Sequence, residues 1–454
     1  MERYDAIIIG FGKGGKTLAS DMASRGLKVA VVEKSEKMYG GTCINVGCIP
    51  TKYLILEAAK NKYKNYTSFV QYKDEYRRII ENKISLISTF RKKNFDNLDS
   101  KENIEIFTGE GSFVDAHTVE VKSKDRTFNI VGDKIFINTG AQTFYPPIKG
   151  LKESSYIYDS EGIMELKELP RSLVIIGGGY IGLEYAGMYK NFGSEVTVLE
   201  GSPVFMPRED KEIAEEVKKV MQNKGIDIRL GVKVTEIDGN TVIFEKDGKK
   251  DSLSADAILV AVGRKPNTEH LKLENAGVKV DERGAIVVDE RLHTTQTNIW
   301  VLGDVHGGPQ FTYTSLDDYR IVKSELFGKG EYTLKDRHVI PYTVFLEPQF
   351  SRVGLTEEEA IKNGYEIKTS KMTPASPRMK ISDETEGLLK VVVDAKTDKI
   401  LGASLFIAQS GEVINTIALA MRTNQNYQVL RDGIYTHPTV TEILNDLFGG
   451  LELL

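Results

Sequence analysis

The sequence predicts an α/β fold in which two similar βαβ units are followed by a C-terminal α+β domain. Residues 5–33 and 172–200 both begin with a β-branched run, pass through a glycine-rich turn into a helical stretch, and end in a second β-branched run. From about residue 336 the pattern changes to strands and helices without a glycine-rich turn. A chain of 454 residues is expected to form about three domains, which agrees with two units and one further domain.

The glycine-rich turns have the spacing that a dinucleotide requires. Their glycines are Gly10, Gly12 and Gly15 in the first unit and Gly177, Gly179 and Gly182 in the second. In such a turn the first glycine permits the tight bend, the second lets the backbone approach a pyrophosphate, and the third lets the helix pack on the strand. Glu33 and Glu200 follow at the same offset, where a carboxylate accepts hydrogen bonds from ribose hydroxyls. The sequence therefore predicts two Rossmann-like domains that bind two dinucleotides.

The segments outside the two units extend this architecture. Residues 57–98 favour helix, and residues 103–113, 117–123 and 126–140 favour strands. A later buried strand, residues 297–305, ends in a Gly-Asp pair, and ligands bind at the carboxyl ends of such strands. We predict a first dinucleotide domain from residues 1–145 and 266–335, a second from residues 146–265, and a C-terminal interface domain from residues 336–454.

Charge and hydropathy limit the partners of the protein. The formal net charge is −5 with 28% charged residues, so there is no general case for nucleic-acid binding. No apolar stretch approaches the roughly 18 residues of a membrane span, and the apolar run at residues 6–9 is too short for the core of a signal peptide. We expect a soluble cytoplasmic protein without nucleic-acid or membrane partners.

Two cysteines, Cys43 and Cys48, lie in the segment GGTCINVGCIPTK at residues 40–52. A long chain with two cysteines is not a disulfide-stapled secreted scaffold, and two thiols without a nearby histidine do not make a zinc site. A thiol near a helix N-terminus or near a cation such as Lys52 has a lowered pKa and more thiolate character. We therefore predict a redox-active pair; the alternative is two buried structural cysteines.

This cysteine segment resembles the active-site signature of the class I pyridine nucleotide-disulfide oxidoreductases, which include glutathione reductase, dihydrolipoamide dehydrogenase and mercuric reductase. The similarity covers the whole chain through the two glycine turns and the motifs TGA at 139–141, GRKPN at 263–267, GDV at 303–305 and HPTVTE at 437–442. It implies an enzyme that passes reducing equivalents from NADH or NADPH through FAD to the cysteine pair. The first domain would bind FAD and the second NAD(P)H.

The resemblance also implies a role for each matching residue. Cys43 would be the interchange thiol that faces the substrate, and Cys48 the thiolate that lies against the flavin. Lys52 would lie near the flavin N5 edge in an ion pair with Glu184, and Tyr180 would gate the nicotinamide side. The implied FAD-binding residues are Gly10, Gly12, Gly15, Glu33, Gly41, Thr42, Lys52, Gly111, Thr139, Gly140 and Asp304, and the implied NAD(P)-binding residues are Gly177, Gly179, Tyr180, Gly182, Glu184, Glu200 and Gly263.

By the same resemblance, His437 and Glu442 would form an acid/base pair that reaches the cysteines of the other subunit, which implies a homodimer. An imidazole near its reference pKa exchanges protons at neutral pH, and a carboxylate fixes its tautomer. Without the HPTVTE context, His437 would more often be a structural or surface histidine. A cis His437–Pro438 peptide bond is also expected.

Glu200 predicts a preference for NADH, because a carboxylate suits the adenosine 2′-OH and repels a 2′-phosphate. Arg208 softens this preference, so NADPH is expected as a weaker substrate. The six histidines form no local cluster in the sequence, and we predict no resident metal site. His306, beside the GDV motif, is the histidine to consider as a copper ligand.

Three segments narrow the substrate. GFGKGGKTLA at 10–19, MYGGTC at 38–43 and GDVHGGPQFTYTSLDD at 303–318 are similar to bacterial reactive-chlorine-resistance flavoproteins, which include hypothiocyanous acid reductases and proteins described as copper(II) reductases. The tail LFGGLELL lacks the cysteine pair of mercuric reductases and high-molecular-weight thioredoxin reductases. Tyr435 stands where dihydrolipoamide dehydrogenases usually have a second histidine.

These observations favour a small oxidant such as hypothiocyanous acid as the substrate. Cys43 would attack its sulfur, Cys48 would resolve the adduct, thiocyanate would leave, and reduced FAD would restore the dithiol. Phe311 and Tyr313 either line the site or are core aromatic residues. The alternatives are copper(II) reduction, dihydrolipoamide dehydrogenase activity and a non-catalytic flavoprotein scaffold, the last disfavoured by the intact cysteines and HPTVTE motif.

Overall fold

The computed structural model describes residues 2–454. Its strands are β1 (Glu2–Ile9), β2 (Val29–Glu33), β3 (Ile104–Thr108), β4 (Glu110–Phe113), β5 (Thr118–Lys122), β6 (Thr127–Ile137), β7 (Ala141–Thr143), β8 (Ile157–Tyr158), β9 (Ser172–Ile176), β10 (Glu195–Glu200), β11 (Asp227–Leu230), β12 (Lys233–Asp238), β13 (Thr241–Lys246), β14 (Lys249–Ser254), β15 (Ala257–Val260), β16 (Arg264–Pro266), β17 (Ile299–Val301), β18 (Tyr342–Val344), β19 (Phe350–Gly354), β20 (Ile367–Met372), β21 (Leu388–Asp394), β22 (Ile400–Phe406) and β23 (Glu452–Leu453). Its α-helices are α1 (Lys13–Ser24), α2 (Thr42–Asn45), α3 (Cys48–Ala59), α4 (Phe69–Asp99), α5 (Tyr180–Asn191), α6 (Lys211–Asn223), α7 (Thr312–Phe327), α8 (Glu357–Lys362), α9 (Pro377–Ile381), α10 (Ser410–Arg422), α11 (Gln428–Arg431) and α12 (Ile443–Gly449).

The first glycine-rich unit lies in a seven-stranded sheet of order β3-β2-β1-β6-β5-β4, with β17 paired to β6. The central strands are parallel, and β1 and β2 are mostly buried, as expected of parallel strands covered on both faces. Ile137 pairs with both Ile9 and Val301. The carboxyl ends of β1, β6 and β17 therefore meet at one edge of this sheet, where ligands bind in such folds.

The second unit lies in a separate parallel sheet of order β11-β10-β9-β15-β8. The antiparallel sheet β12-β13-β14 is inserted between β11 and β15. A two-stranded pair, β7 with β16, joins the segments where the chain passes between the two parallel sheets. The domain borders that we place after residues 145, 265 and 335 stay predictions.

The C-terminal part forms a six-stranded antiparallel sheet of order β18-β19-β22-β21-β20-β23. Helices α10 and α12 pack on this sheet and share its apolar core, which includes Val391, Leu405, Ile417 and Leu447. The predicted fold class, two Rossmann-like units followed by an α+β domain, is confirmed.

Helix α4 is long but amphipathic. Its buried face includes Tyr76, Ile79, Ile80 and Ile87, and the remaining surface carries charged side chains. Within residues 2–454, no helix combines the length and the apolar character that crossing a membrane requires.

The first and third glycines of both turns are required by geometry. Gly10 and Gly177 have φ angles of 103° and 109°, in the left-handed region that favours glycine. A Cβ at Gly15 would lie 2.9 Å from the Ile8 side chain, and one at Gly182 would lie 2.1 Å from the Gly177 carbonyl oxygen. The third glycine of each turn therefore permits close packing of the helix on the strand, as the sequence predicts.

Candidate active site

The two cysteines lie on consecutive helical segments. Cys43 is in α2, and Cys48 is the first residue of α3. Both are free thiols; Cys43 is half-buried and Cys48 is exposed to a cavity. No side chain caps the N-terminus of α3, so its N–H groups and the helix dipole favour negative charge on the Cys48 sulfur.

The pKa values of the two thiols shift in opposite directions. The Cys43 thiol donates to the Cys48 sulfur and lowers the pKa of Cys48 to about 6, although burial opposes this. The Thr312 hydroxyl, 3.5 Å from Cys48 Sγ, and the charge of Lys52 also lower it. The same cysteine–cysteine hydrogen bond raises the pKa of Cys43. At neutral pH the pair is therefore a Cys48 thiolate beside a Cys43 thiol.

Lys52 is fixed one turn beyond Cys48 on α3. Its Nζ lies 2.6 Å from both carboxylate oxygens of Glu184, which belongs to α5 of the second unit. The Phe345 backbone N–H donates to Glu184 Oε1 (2.8 Å), and the Lys52 ammonium lies 4.1 Å from the centre of the Phe345 ring. The predicted ion pair thus joins the cysteine helix to the second glycine unit.

A cavity of about 2450 Å³ extends from the first glycine turn past the cysteines. Its volume exceeds the roughly 300–1,000 Å³ of a typical small-ligand pocket, so it accommodates a large ligand. The predicted residues on its wall are Gly10, Gly12, Glu33, Gly41, Thr42, Cys43, Cys48, Lys52, Gly111, Thr139, Gly140, Tyr180, Glu184 and Asp304. The predicted residues away from its wall are Gly15, Gly177, Gly179, Gly182, Glu200, Gly263, His437 and Glu442.

The first glycine turn fits the diphosphate of FAD. Gly12 precedes α1 without a side-chain cap, so the helix N-terminus is open to an anion. Gly41 packs on this turn so closely that a Cβ there would lie 2.7 Å from Gly12 Cα. The Glu33 carboxylate accepts a hydrogen bond from Phe11 N (3.0 Å), and burial raises its pKa. These features match what the pyrophosphate and ribose of a dinucleotide need.

The far wall of this part of the cavity also holds predicted residues. Thr139 and Asn267 exchange hydrogen bonds of 2.8 and 3.0 Å, which fix the TGA turn beside Gly140. Burial raises the pKa of Asp304, which follows the carboxyl end of β17. Asp304 lies on the cavity wall, where a carboxylate accepts hydrogen bonds from ligand hydroxyl groups, and this agrees with the role implied for Asp304 in holding FAD.

The second glycine turn has the same local geometry. Glu200 accepts hydrogen bonds from the backbone N–H groups of Gly178 (2.5 Å) and Ser202 (2.6 Å). A Cβ at Gly179 would meet nothing within 4 Å, so the turn is open to a ligand. Arg208 is exposed and lies on the cavity wall. The turn therefore fits a second dinucleotide, with Glu200 beside it.

His437 and Glu442 are paired with each other but not with the cysteines of the same chain. His437 Nδ1 lies 2.7 Å from Glu442 Oε2, and the His437–Pro438 bond is cis. Because a carboxylate only accepts, Nδ1 donates and Nε2 stays free to exchange a proton. The His437 side chain is 71% exposed. The dyad is thus formed at the surface of the single chain.

Two family descriptions match nearly the whole chain. The pyridine nucleotide-disulphide oxidoreductase model matches residues 4–318, and its dimerisation-domain model matches residues 340–448. The chain belongs to the pyridine nucleotide-disulphide oxidoreductase family. The predicted resemblance is therefore confirmed, and this family uses FAD with NADH or NADPH.

Members of this family resemble the chain to different degrees. The probable pyridine nucleotide-disulfide oxidoreductase RclA of Escherichia coli (strain K12) is 48% identical over 449 residues, 99% of each chain. Mercuric reductase of Staphylococcus aureus is 34% identical over 97% of this chain and 81% of its own, and dihydrolipoyl dehydrogenase of Geobacillus stearothermophilus is 33% identical over 97% and 94%. The solved Cu(II) complex of HOCl-induced flavoprotein disulfide reductase RclA from Escherichia coli superposes with a TM-score of 0.93 over 99% of each chain, at 48% identity.

Two residues of this oxidoreductase site were not predicted from sequence. Asn138, at the end of β6, accepts from Gly15 N (2.9 Å) and donates to the Leu302 carbonyl (2.6 Å), so it ties the first glycine turn to β17. Thr312 begins α7 and contacts the Cys48 sulfur. The only sequence signals were their positions next to the TGA motif and inside the 303–318 segment.

The remaining predictions concern aromatic residues and copper. Phe311 and Tyr313 lie on the cavity wall, and Tyr313 is 43% exposed, so they line the site and are not core residues. His306 Nε2 lies 3.3 Å from Asp318 Oδ2, and Asp318 also pairs with Arg337. Across residues 2–454, no group of three or more His, Cys, Asp or Glu side chains is arranged to hold a metal ion.

Proposed function

We propose that this protein is an NAD(P)H-dependent flavoprotein reductase that uses Cys43 and Cys48 to reduce a small oxidant, hypothiocyanous acid. The observation that carries the proposal is the Cys48 thiolate beside the Cys43 thiol on the wall of the large cavity. The Escherichia coli relative at 48% identity is described as an HOCl-induced flavoprotein disulfide reductase, which supports an oxidant as substrate. The chain has no third cysteine to relay electrons to a bulky partner.

FAD, when bound, supplies the two-electron relay between NAD(P)H and the cysteine pair. The deprotonated Cys43 sulfur attacks the electrophilic sulfur of hypothiocyanous acid, and the departing hydroxide takes up a proton to become water. The Cys48 thiolate then attacks the Cys43 sulfur of the adduct, and thiocyanate leaves with the bonding electron pair. The dithiol has then lost two electrons, and the net reaction converts NADH and hypothiocyanous acid to NAD⁺, thiocyanate and water.

This sequence of steps requires a base at Cys43, because the thiolate of Cys48 raises the pKa of the Cys43 thiol. We assign this base to His437 of the partner subunit. Two observations support the assignment: the His437–Glu442 dyad is already formed, and it is exposed where a second subunit can meet it. The match of residues 340–448 to a dimerisation domain supports a homodimer.

The test is a substrate panel with purified, FAD-loaded protein and NADH. Hypothiocyanous acid, copper(II), lipoamide and glutathione disulfide are compared by kcat/KM. We expect the kcat/KM for hypothiocyanous acid to exceed that for either disulfide by about tenfold or more, because its reduction needs only the two thiols and a base at Cys43. Lipoamide as much the best substrate would instead make the protein a dihydrolipoamide dehydrogenase.

The control for this panel is the pair of variants Cys43→Ser and Cys48→Ser. Both should lose hypothiocyanous acid reduction while NADH still reduces ferricyanide, which takes electrons from the flavin without the cysteines. Full hypothiocyanous acid turnover by Cys43→Ser would contradict the proposed chemistry.

One observation favours copper(II) as a second acceptor, since the relative with a TM-score of 0.93 was solved as a Cu(II) complex. The described residues offer no three-ligand metal group, so copper(II) would meet the reduced thiols as a substrate. Each copper(II) accepts one electron, and two are reduced per NADH. A copper(II) rate above the hypothiocyanous acid rate in the same panel would make copper(II) the preferred oxidant.

A further inference from the structure

Four aromatic rings form a continuous column on the cavity wall. Tyr180 stacks on Tyr342 (5.8 Å between ring centres), Tyr342 on Phe311 (5.9 Å), and Phe311 on Tyr313 (5.0 Å). At the far end of the column, burial and then the charge of Cys48 raise the pKa of Tyr313. The column therefore runs from the second glycine unit to the surroundings of the cysteine pair.

Tyr180 lies on the cavity wall at the point where the second glycine unit meets the cavity. It is the first residue of α5, directly after the second glycine turn. One helical turn later, Glu184 holds Lys52, which is itself one turn beyond Cys48 on α3. A nicotinamide ring that extends from residues 177–182 toward Cys48 therefore enters the part of the cavity that the Tyr180 ring lines.

The Tyr180 ring is held in this position by a buried carboxylate, Glu209. The hydroxyl groups of Tyr180 and Tyr342 both donate to Glu209 Oε1, the second at 2.7 Å. The Glu209 side chain has no exposed surface, and its Oε2 lies 3.4 Å from Nη1 of Arg352. Hydrogen bonds to a charged acceptor are roughly twice as strong as neutral ones, so this contact restrains the tyrosine ring.

Glu209 is itself anchored to the C-terminal sheet. Arg352 belongs to β19 and also donates to the Arg208 carbonyl oxygen (2.5 Å) and to Glu359. Tyr342 belongs to β18 of the same sheet. Because removal of Glu209 would leave Arg352 buried without a full set of partners, the carboxylate is fixed by more than its contact with Tyr180.

We propose that Glu209 is a latch that holds Tyr180 across the nicotinamide path, so that NAD(P)H binding requires the Tyr180–Glu209 hydrogen bond to break. Glu209 is a positioning residue, since it acts only through Tyr180. The apparent affinity for the nucleotide then equals its intrinsic affinity reduced by the fraction of molecules with Tyr180 released. The proposal rests on NAD(P)H as the reductant and does not depend on which oxidant the protein reduces.

The test is the variant Tyr180→Phe, which keeps the stacked ring and removes the hydroxyl. Flavin reduction by NADH is followed by stopped-flow absorbance in FAD-loaded protein over a range of NADH concentrations. We expect the half-saturating NADH concentration to fall about tenfold, because one hydrogen bond to a charged group no longer opposes binding. A half-saturating concentration equal to that of the wild type would overturn the latch.

Tyr342→Phe is the matched control, since it removes the other hydroxyl from the same Glu209 oxygen and leaves Tyr180 latched. We expect its half-saturating NADH concentration to stay within about twofold of the wild type. A decrease equal to that of Tyr180→Phe would show a general loosening of the column and overturn the latch. Glu209→Gln keeps a hydrogen-bond acceptor but loses the charge. Its half-saturating NADH concentration should lie between those of the wild type and Tyr180→Phe. If this variant does not fold, the two tyrosine variants alone decide the test. Flavin reduction by NADH is measured without the oxidant, so the result does not depend on whether hypothiocyanous acid is the substrate. The proposed latch and the proposed substrate are therefore tested independently.

Discussion

Cys48 carries a negative charge because its neighbours favour the thiolate over the thiol. The largest contribution is the hydrogen bond from Cys43, followed among the favourable ones by the Thr312 hydroxyl and the Lys52 ammonium. Lys52 is itself paired with Glu184, 2.6 Å away. The low pKa of Cys48 therefore depends on Cys43 being reduced, and the charge disappears when the disulfide forms.

This dependence predicts the pH profile of alkylation. With the protein reduced, iodoacetamide should modify Cys48 at a rate that falls as the pH drops through about 6, because only the thiolate above its pKa reacts. In Cys43→Ala the midpoint should move up toward about 8.5, the value of a free thiol. Peptide mapping by mass spectrometry assigns the label to each cysteine.

The control is Thr51→Ala, which removes a buried hydroxyl from the same helix; its O–H donates to the Gly47 carbonyl, and Thr51 is not among the groups that shift the pKa of Cys48. Its midpoint should stay near that of the wild type. An unchanged midpoint in Cys43→Ala would show that the cysteine–cysteine hydrogen bond does not set the pKa of Cys48.

At the scale of single elements, helix α5 has one set of residues that faces the ligand cavity and another that packs against the strand. Its first residues face the ligand side, with Tyr180 at the start and Glu184 one turn later. Gly182 faces the strand and approaches the Gly177 carbonyl oxygen so closely that no side chain fits. Gly187, further along the helix, has no atom within 4 Å of an added Cβ. The same residue type is thus required at one position of α5 and dispensable at another.

The substitutions Gly182→Ala and Gly187→Ala should therefore have opposite effects. Gly182→Ala forces the helix away from the strand, and overpacking of this kind costs about 1–3 kcal/mol. We expect a lower melting temperature and a higher KM for NADH. Gly187→Ala should raise the stability by about 0.5–1 kcal/mol, because alanine is the better helix former. Differential scanning calorimetry of both FAD-loaded variants tests this, and equal melting temperatures would contradict it.

Glu200, at the end of strand β10, predicts which nicotinamide nucleotide the protein prefers. Glu200 is held there by two backbone N–H groups, in a position to repel a 2′-phosphate. We expect NADH to be preferred, and Glu200→Gln should reduce the NADH-to-NADPH ratio of kcat/KM roughly fivefold, the effect of about 1 kcal/mol between two charges about 4 Å apart in water. Glu195→Gln, an exposed change at the start of the same strand, is the control and should leave the ratio unchanged. A wild type that uses both nucleotides equally would show that Glu200 does not decide.

For the whole molecule, local patterns were predictable and long-range contacts were not. The glycine spacing at residues 10–15 and 177–182 predicts the turn, since the backbone conformation of such a turn is carried by the glycines themselves. By contrast, Glu209 meets Tyr342 across 133 positions of sequence, and Asn138 meets Leu302 across 164. In the sequence alone, neither Glu209 nor Asn138 differs from the other Glu and Asn residues. The ion pair between Lys52 and Glu184 could be predicted from the family resemblance because both residues lie in recognisable motifs.

In the proposed mechanism, His437 acts on the partner subunit and not on its own chain. The dyad with Glu442 lies away from the cavity wall that holds Cys43 and Cys48, and His437 is 71% exposed. A base that accepts the proton of Cys43 must come within hydrogen-bond reach of it. In a twofold dimer of the proposed kind, each of the two sites would contain residues from both subunits. The proposed active site therefore contains the cysteines of one subunit and the histidine of the other.

Hybrid dimers test this arrangement directly. Cys43→Ser and His437→Ala should each lose most hypothiocyanous acid turnover as homodimers, the first for lack of a nucleophile and the second for lack of a base. When two differently tagged chains are co-expressed and the hybrid is purified through both tags, one of its two sites combines intact cysteines with an intact His437 from the partner subunit. The hybrid should therefore recover about half of the wild-type activity per dimer. If His437 acted on the cysteines of its own chain, neither site of the hybrid would be complete, and no activity would return; NADH reduction of ferricyanide by all three proteins shows that the flavin and nucleotide sites are intact.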